Sequence, residues 1–229
     1  AYSFNQTAGF SIIQYTGTGA VATLAHGLGA VPTYIAVKQL DATRSWTIYN
    51  VGMNNGSTPE DYSMRWNTTA LQDDSDGYWN DTVPDSVNFD LGSAADVNVS
   101  GGTYIAYCWA GKQGYSKFGS YTGNGNDDGP FIYTGFRPAF VITKSSTASA
   151  NSWYMMDRLR TEPYNPQNGR VEADGAGAEQ STPDMDLCSN GFKLRALDGG
   201  FNTSGTGYIY MAFAENPFVN SEGVPSNAR

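Results

Sequence analysis

A chain of 229 residues with 27 Gly, 15 Tyr and 11 Phe is long enough to bury a core without staples, and it is composed for strands and tight turns rather than long helices. A formal charge of −9 and only 13 Lys plus Arg, scattered singly along the chain, argue against a phosphate-backbone partner. No apolar run approaches the roughly 20 residues of a membrane-spanning helix, and there is no charged-then-apolar leader.

In chain order, the first element is GFSIIQYTGTG at 9–19, a strand running into a Gly turn. A second turn and strand follow in GLGAVPTYIAVK at 27–38, and a short strand in SWTIYN at 45–50. Residues 51–86 have little periodicity and include the acidic turn QDDSDG at 72–77, where Asp closes turns locally. NFDLG at 88–92 then leads to NVSGGTYIAYCWA at 98–110. In that last run Tyr104, Ala106 and Cys108 fall on one face and Ile105, Tyr107 and Trp109 on the other. Both faces are apolar, which predicts a central strand.

The same series then recurs. GYSKFGSYTGNG at 114–125 repeats 9–19 with Tyr121 in the place of Tyr15, and TGFRPAFVITK at 134–144 repeats 27–38 with Pro138 for Pro32 and Lys144 for Lys38. SWYMMD at 152–157 sets Trp153 over Trp46, GFKLR at 191–195 matches NFDLG, and NTSGTGYIYMAFA at 202–214 matches 98–110. Five blocks in one order, at nearly constant offset, are an internal duplication.

The predicted fold is all-β: two tandem, pseudo-symmetric β-sandwich or jelly-roll-like modules packed together, each of about six or seven strands. The boundaries are 8–113 for the first module and 114–218 for the second, with 219–229 as a C-terminal tail. Residues 51–86 and 158–184 share little between the copies, so these inserts are the candidates for function while the duplicated residues are scaffold.

Little of a catalytic kit is present. The single histidine, His26, precedes a Gly turn and reads as structural, with an apolar counterpart expected in the second copy. No Cys/His cluster has zinc spacing and no Gly-rich segment reads as a nucleotide loop, so neither a metal nor a cofactor is expected. Asp73, Asp74 and Asp76, or Asp127 and Asp128, could offer oxygens to calcium but follow no known loop pattern, and turn closure is favoured. Cys108 and Cys188 do not make a disulfide framework; each is expected to be a small buried residue.

Aromatics are what remains. Trp46 and Trp153 are repeat-equivalent and read as core, whereas Trp66, Tyr78, Trp79 and Tyr164 lie in the divergent inserts and are candidates for stacking on a sugar ring. Two of the six N-x-S/T sequons, at Asn98 and Asn202, are repeat-equivalent and precede a Gly turn.

The blocks GFSIIQYTGTG, HGLGAVPTYIAVK, SWTIYN, YWNDTVPDSVNFDLG, YSKFGSYTGNG, DGPFIYTGFRPAFV and the closing YIYMAFAENPF with NAR resemble a family of phage-encoded virion proteins. These are tail-fibre-like and common in marine bacteriophages, and the resemblance spans roughly residues 8–229. It implies a virion component on the exposed surface of tail or capsid, all-β, without cofactor or catalytic residues. Its implied partners are other virion proteins and further copies of the chain, with a trimer as one arrangement, and recognition of a host-surface glycan through the divergent loops is the leading functional expectation. A capsid decoration or head-fibre protein bridging capsomers is the alternative place in the particle, and a secreted polysaccharide-degrading enzyme is a third reading.

Overall fold

The computed structural model describes residues 2–160 and 164–217; the predicted tail at 219–229 lies outside the described residues. The protein is all-β. Two compact units are formed, the first from residues up to Asn67 with Gln72–Gly111, the second from Thr68–Leu71 with the residues from Lys112 onward.

The described residues of the first unit form nine strands where six or seven were expected: β1 (Tyr2–Asn5), β2 (Phe10–Thr16), β3 (Ala22–Ala25), β4 (Tyr34–Gln39), β5 (Thr47–Asn50), β6 (Tyr62–Arg65), β7 (Asp73–Asp74), β8 (Asn88–Leu91) and β9 (Thr103–Trp109). Seven make one sheet in the order β1-β2-β9-β4-β5-β6-β7, and β3 pairs with β8 separately. Two one-turn helices, α1 (Asp76–Trp79) and α2 (Ala95–Asn98), are the only α-helices among the described residues. The composition has too few strong helix formers for more.

The described residues of the second unit form eight strands: β10 (Ser116–Thr122), β11 (Phe131–Tyr133), β12 (Pro138–Ser145), β13 (Tyr154–Asp157), β14 (Gln167–Glu172), β15 (Gln180–Cys188), β16 (Gly191–Leu194) and β17 (Gly207–Ala214). They form a single sheet, β10-β17-β12-β13-β14-β15-β16-β11. The equivalences are direct, with β10 standing for β2, β17 for β9, β12 for β4 and the β11–β16 pair for β3–β8. The difference is β15. This long strand pairs with both β14 and β16, and so joins into one sheet what the first unit keeps as two. The sheet curls until its ends meet, where Lys117 Nζ on β10 donates to the Tyr133 carbonyl on β11 at 2.7 Å.

Strand β9 is central, between β2 and β4, as its two apolar faces predict. Tyr104, Ala106 and Cys108 enter the first core with Ile13, Ile35, Val37, Tyr49 and Phe89. In the second unit Tyr208, Tyr210 and Ala212 do the same with Val141, Met156, Leu187 and Phe192. The cores differ by a compensated exchange. Ile13 faces Ala106 across β2–β9, whereas the same cross-strand pair on β10–β17 is Gly119 with Tyr210. A Cβ on Gly119 would lie 3.2 Å from the Tyr210 ring, so the large residue has moved to the partner strand and the small one must stay small. Gly119→Ala is therefore expected to destabilise by about 1 kcal/mol, the overpacking cost exceeding the gain from a stiffer unfolded chain. Urea unfolding checks this, and a stabilised variant would show that the ring yields freely.

Candidate functional site

The most elaborate side-chain arrangement in each unit is the closure of its T-G-x-G turn, and it is the same in both. Tyr15 stacks on Tyr104 at 5.1 Å and 10°; Tyr121 stacks on Tyr208 at 5.0 Å and 8°. The Tyr104 hydroxyl accepts from Val99 N at 2.9 Å and donates to the Ala95 carbonyl at 2.6 Å. The Tyr208 hydroxyl accepts from Thr203 N at 3.0 Å and donates to the Gly199 carbonyl at 2.7 Å.

Beside each stack an asparagine ties two loops together. Asn98 accepts from Thr18 N at 2.8 Å and donates to the carbonyls of Ala20 at 2.6 Å and Gly92 at 2.9 Å. Asn202 accepts from Asn124 N at 2.8 Å and donates to the Asn126 carbonyl at 2.8 Å. Both side chains are buried and spent on these contacts, so neither sequon offers a free amide. Gly17 and Gly123 sit where a Cβ would meet the Val99 and Thr203 carbonyls at 2.2 and 2.3 Å, and Gly19 and Gly125 have φ of +74° and +65°, which only glycine adopts without strain.

His26 belongs to a similar turn closure. Its Nδ1 accepts from Leu28 N at 3.1 Å, which leaves Nε2 to carry the proton and donate to the Asp85 carbonyl at 3.1 Å. Burial lowers its pKa, against the raising effect of that hydrogen bond. The counterpart is Thr134 rather than the apolar residue expected. His26 N and Thr134 N donate to the equivalent carbonyls of Val87 and Asn190, and Thr134 Oγ1 accepts from Phe136 N at 3.4 Å. A histidine replaceable by threonine at a repeat-equivalent position is a turn residue.

Each divergent insert is anchored by one arginine held between carboxylates and an aromatic ring. In the first unit Arg65 on β6 faces the Tyr78 ring at 4.5 Å and donates to its hydroxyl, with Asp73 and Asp96 at 3.7 and 3.6 Å. In the second, Arg170 on β14 places one nitrogen 3.1 Å from both oxygens of Asp184 on β15. Its other end donates to Asp198 at 2.8 Å and Gln180 at 2.6 Å, and the guanidinium covers Tyr154 and Phe201 at 4.7 and 5.2 Å. Two carboxylates share this one cation. Burial pushes Asp184 up to about 7 against the lowering effect of Arg170. Asp198 lies below the ordinary carboxylate range; burial opposes that shift, and its bonds from Arg170 and Gly200 N outweigh it.

The four candidate sugar platforms have unlike settings. Trp79 closes α1 and is 1 % exposed, its ring edge-on to Tyr49 at 6.1 Å, so it presents no face to a ligand. The Ser75 side chain caps that helix on Gly77 N and turns the ring inward. Tyr78 is half-buried beneath Arg65. Trp66 packs on Trp46 and Tyr34 at 6.2 and 5.9 Å, in a half-buried aromatic cluster of the first unit that includes Phe10, Tyr107 and Trp109. Trp46 belongs to this cluster and is only half-buried, unlike its core counterpart Trp153. Tyr164 alone stands clear, 76 % exposed.

The remaining expectations resolve locally. Asp128 pairs with Lys193 at 2.7 Å, and the backbone around Asp127 is closed by Asn124 and Asn126. Among the described residues no group of three or more acidic, His or Cys side chains could hold a metal. Both cysteines are free thiols; Cys108 is buried, its thiol pushed up to about 12 by burial, but Cys188 is half-buried rather than core.

Comparison with known proteins adds a weak structural similarity to viral major capsid proteins. The major capsid protein P2 from Bacteriophage PM2 is 12 % identical at a TM-score of 0.26, over 91 % of this chain and 100 % of that one. The STIV MCP is 10 % identical at 0.21, over 89 % and 85 %. Likeness at that level decides neither topology nor role. No curated protein matches the chain. A family described as "Domain of unknown function (DUF7483)" matches residues 1–217, and the chain belongs to that family.

Proposed function

We propose that the chain is a non-enzymatic structural protein of a phage particle, of tail-fibre or appendage type, that contributes to contact with a host-surface glycan. The observation that carries this reading is where the polar side chains go. Asn98, Asn202, His26, Arg65 and Arg170 are all consumed in closing turns or anchoring inserts, an economy that suits a rigid building block presenting loops. The sequence resemblance to phage virion proteins supplies the setting.

The glycan contact rests on the second insert, where Tyr164 and Leu159 are 76 and 79 % exposed. The test has two arms. Labelling purified particles with an antibody to the chain, followed by electron microscopy, places it on the tail; label on the head instead would move the reading to a capsid decoration protein. Tyr164→Ala is expected to weaken binding to host-surface polysaccharide about tenfold or more, the loss of one stacked ring, without moving the unfolding midpoint. Unchanged binding removes the glycan contact and leaves the structural role standing.

A further inference from the structure

The strand pair β11–β16 repeats β3–β8 on its inner face and departs from it on its outer face. Inward, Ile132 opposite Phe192 stands for Leu24 opposite Phe89, with Leu194 for Leu91, and each set packs in its own core. Outward, the first unit sets Thr23 against Asp90 and Ala25 against Asn88, while the second sets Phe131 against Lys193 and Tyr133 against Gly191. Thr23 and Ala25 are exposed, and so are Phe131 and Tyr133, at 45 and 59 %. The first unit folds this pair with a small residue at both places, so the framework calls for no ring at either.

Both rings stand on one face of β11, two residues and roughly 7 Å apart along the strand. A Cβ at Gly191 would come within 2.8 Å of Phe131 Cζ, so the Phe131 ring leans across β16 into space that a side chain there would fill. Lys117 Nζ lies 5.1 Å over the Tyr133 ring and donates to its carbonyl, which steadies that ring on one side. Next to the rings Lys193 pairs with Asp128 at 2.7 Å and Arg195 with Asp186 at 2.6 Å. The exposed members, Asp128 and Arg195, keep oxygens and N–H groups turned to water, and because the charges are paired within the chain they demand no counter-charge from a ligand.

We infer that Phe131 and Tyr133 form a platform for a saccharide chain, whose C–H faces lie on the rings while its hydroxyls meet Asp128, Lys193 and Arg195. The platform serves the glycan contact proposed above and depends on that reading. Its size argues against a protein partner: two aromatic side chains bury at most roughly 150–250 Å² each, well short of the roughly 800 Å² per partner of a stable protein interface. Its place in the sheet fits one ligand reaching the second insert. Asn165, next to Tyr164, accepts from Leu187 N at 2.9 Å and donates to the Leu187 carbonyl at 3.1 Å; Leu187 stands opposite Phe192, and Phe192 opposite Ile132. The backbone at Tyr164 therefore joins the sheet at the level of β11, across β15 and β16, roughly 10–15 Å away.

The full chain, fluorescently labelled and applied to an array of neutral and acidic oligosaccharides, tests this, with titration of the saccharide it binds. Phe131→Thr and Tyr133→Ala give β11 the residues that β3 carries, so an unchanged urea midpoint is expected for both. Each is expected to weaken binding about tenfold and the two together about a hundredfold, whereas Tyr133→Phe, which keeps the ring, loses less than about threefold. A double variant that binds like the parent overturns the platform and leaves the Tyr164 contact standing. A parent that binds no saccharide on the array removes the glycan reading itself, and the platform with it. Attachment to host envelopes that the double variant loses, yet that survives periodate cleavage of vicinal diols, also overturns the inference, because the rings would then be meeting protein.

Discussion

Asn98→Ala is expected to destabilise the protein by about 3–4 kcal/mol, and Asn202→Ala by about 2–3 kcal/mol, among the largest single-residue effects the fold allows. The ranking follows from the partners. Truncating Asn98 orphans Thr18 N and the carbonyls of Ala20 and Gly92, of which the Gly92 bond is fully buried and the other two are part-buried. Truncating Asn202 orphans Asn124 N and the Asn126 carbonyl. A buried polar group left without a partner costs about 1–3 kcal/mol, and the costs are less than additive within one loop. The isosteric Asn98→Asp should fail nearly as badly as alanine, because it keeps the acceptor for Thr18 N but turns a second oxygen onto two carbonyls.

Calorimetry and hydrogen exchange at Thr18 and Asn124 check the pair. An Asn98→Asp variant as stable as the parent would mean that the amide donors do not hold the loop. The glycines obey the same geometry. Gly17→Ala and Gly123→Ala each drive a methyl group to within 2.2 or 2.3 Å of a backbone carbonyl, which a side-chain rotation cannot relieve. The backbone must move.

These residues were legible in the sequence because they act within short motifs that occur twice. Tyr15 with Tyr121, Asn98 with Asn202, and the T-G-x-G turns all lie in matched blocks, and the alternation of β9 follows from a period of two along contiguous residues. What the sequence hid depends on pairing at a distance. Nothing local in Gln180–Cys188 announces that it joins two sheets into one, since its partners are β14 and β16 and its pattern lacks clean alternation. Trp79 reads as a candidate sugar platform because it lies in a divergent insert, and only the one-turn helix capped by Ser75 turns it inward. Arg65 and Arg170 anchor their inserts from registers two residues apart, since β5 sets Thr47 against Arg65 while β13 sets Tyr154 against Glu172. Self-comparison aligns like with like and so passes over a role filled from a shifted position.

Lys144 was matched to Lys38 as framework and shares its bond to the carbonyl of the following residue, Gln39 or Ser145, yet Lys38 is only half-buried. Lys144 is fully buried, its Nζ donating to the carbonyls of Thr69 at 3.3 Å and Ser145 at 3.2 Å. Thr69 lies 75 positions away in sequence, in the four-residue segment that belongs to the second unit. Burial brings the Lys144 pKa down to about 8, against the raising effect of Asp174.

The pH profile of the second unit is therefore expected to have two opposed limbs. Asp184, buried beside one arginine and a second carboxylate, titrates near 7 in the folded chain instead of near 3.8. Between those values the folded state holds a proton that the unfolded state has released, so stability is greatest below about pH 4 and falls as pH rises through 7. The shift corresponds to an upper limit on the order of 4 kcal/mol. Lys144 behaves oppositely: between about 8 and 10.5 the folded chain has lost a proton that the unfolded chain retains. Stability then rises with pH through that window, by at most on the order of 3 kcal/mol.

Other groups overlap both limbs. Protonation of His26 in the first unit opposes the acid limb, because its lowered pKa makes stability rise with pH below 6.5. Above about pH 10 the buried phenols of Tyr34 and Tyr121, held far above their usual range by burial, pull against the alkaline limb. The measurement is accordingly a difference, with urea unfolding of the parent, Asp184→Asn and Lys144→Met from pH 4.5 to 9.5. Subtracting Asp184→Asn from the parent should isolate a stability that declines up to pH 7 and is flat beyond; subtracting Lys144→Met should isolate one that is flat below pH 8 and climbs after it. A difference curve independent of pH would show that the group concerned keeps one charge state throughout. For Asp184 this would mean that Arg170 alone holds both carboxylates ionised, and that the burial cost is met by the cation rather than by a proton.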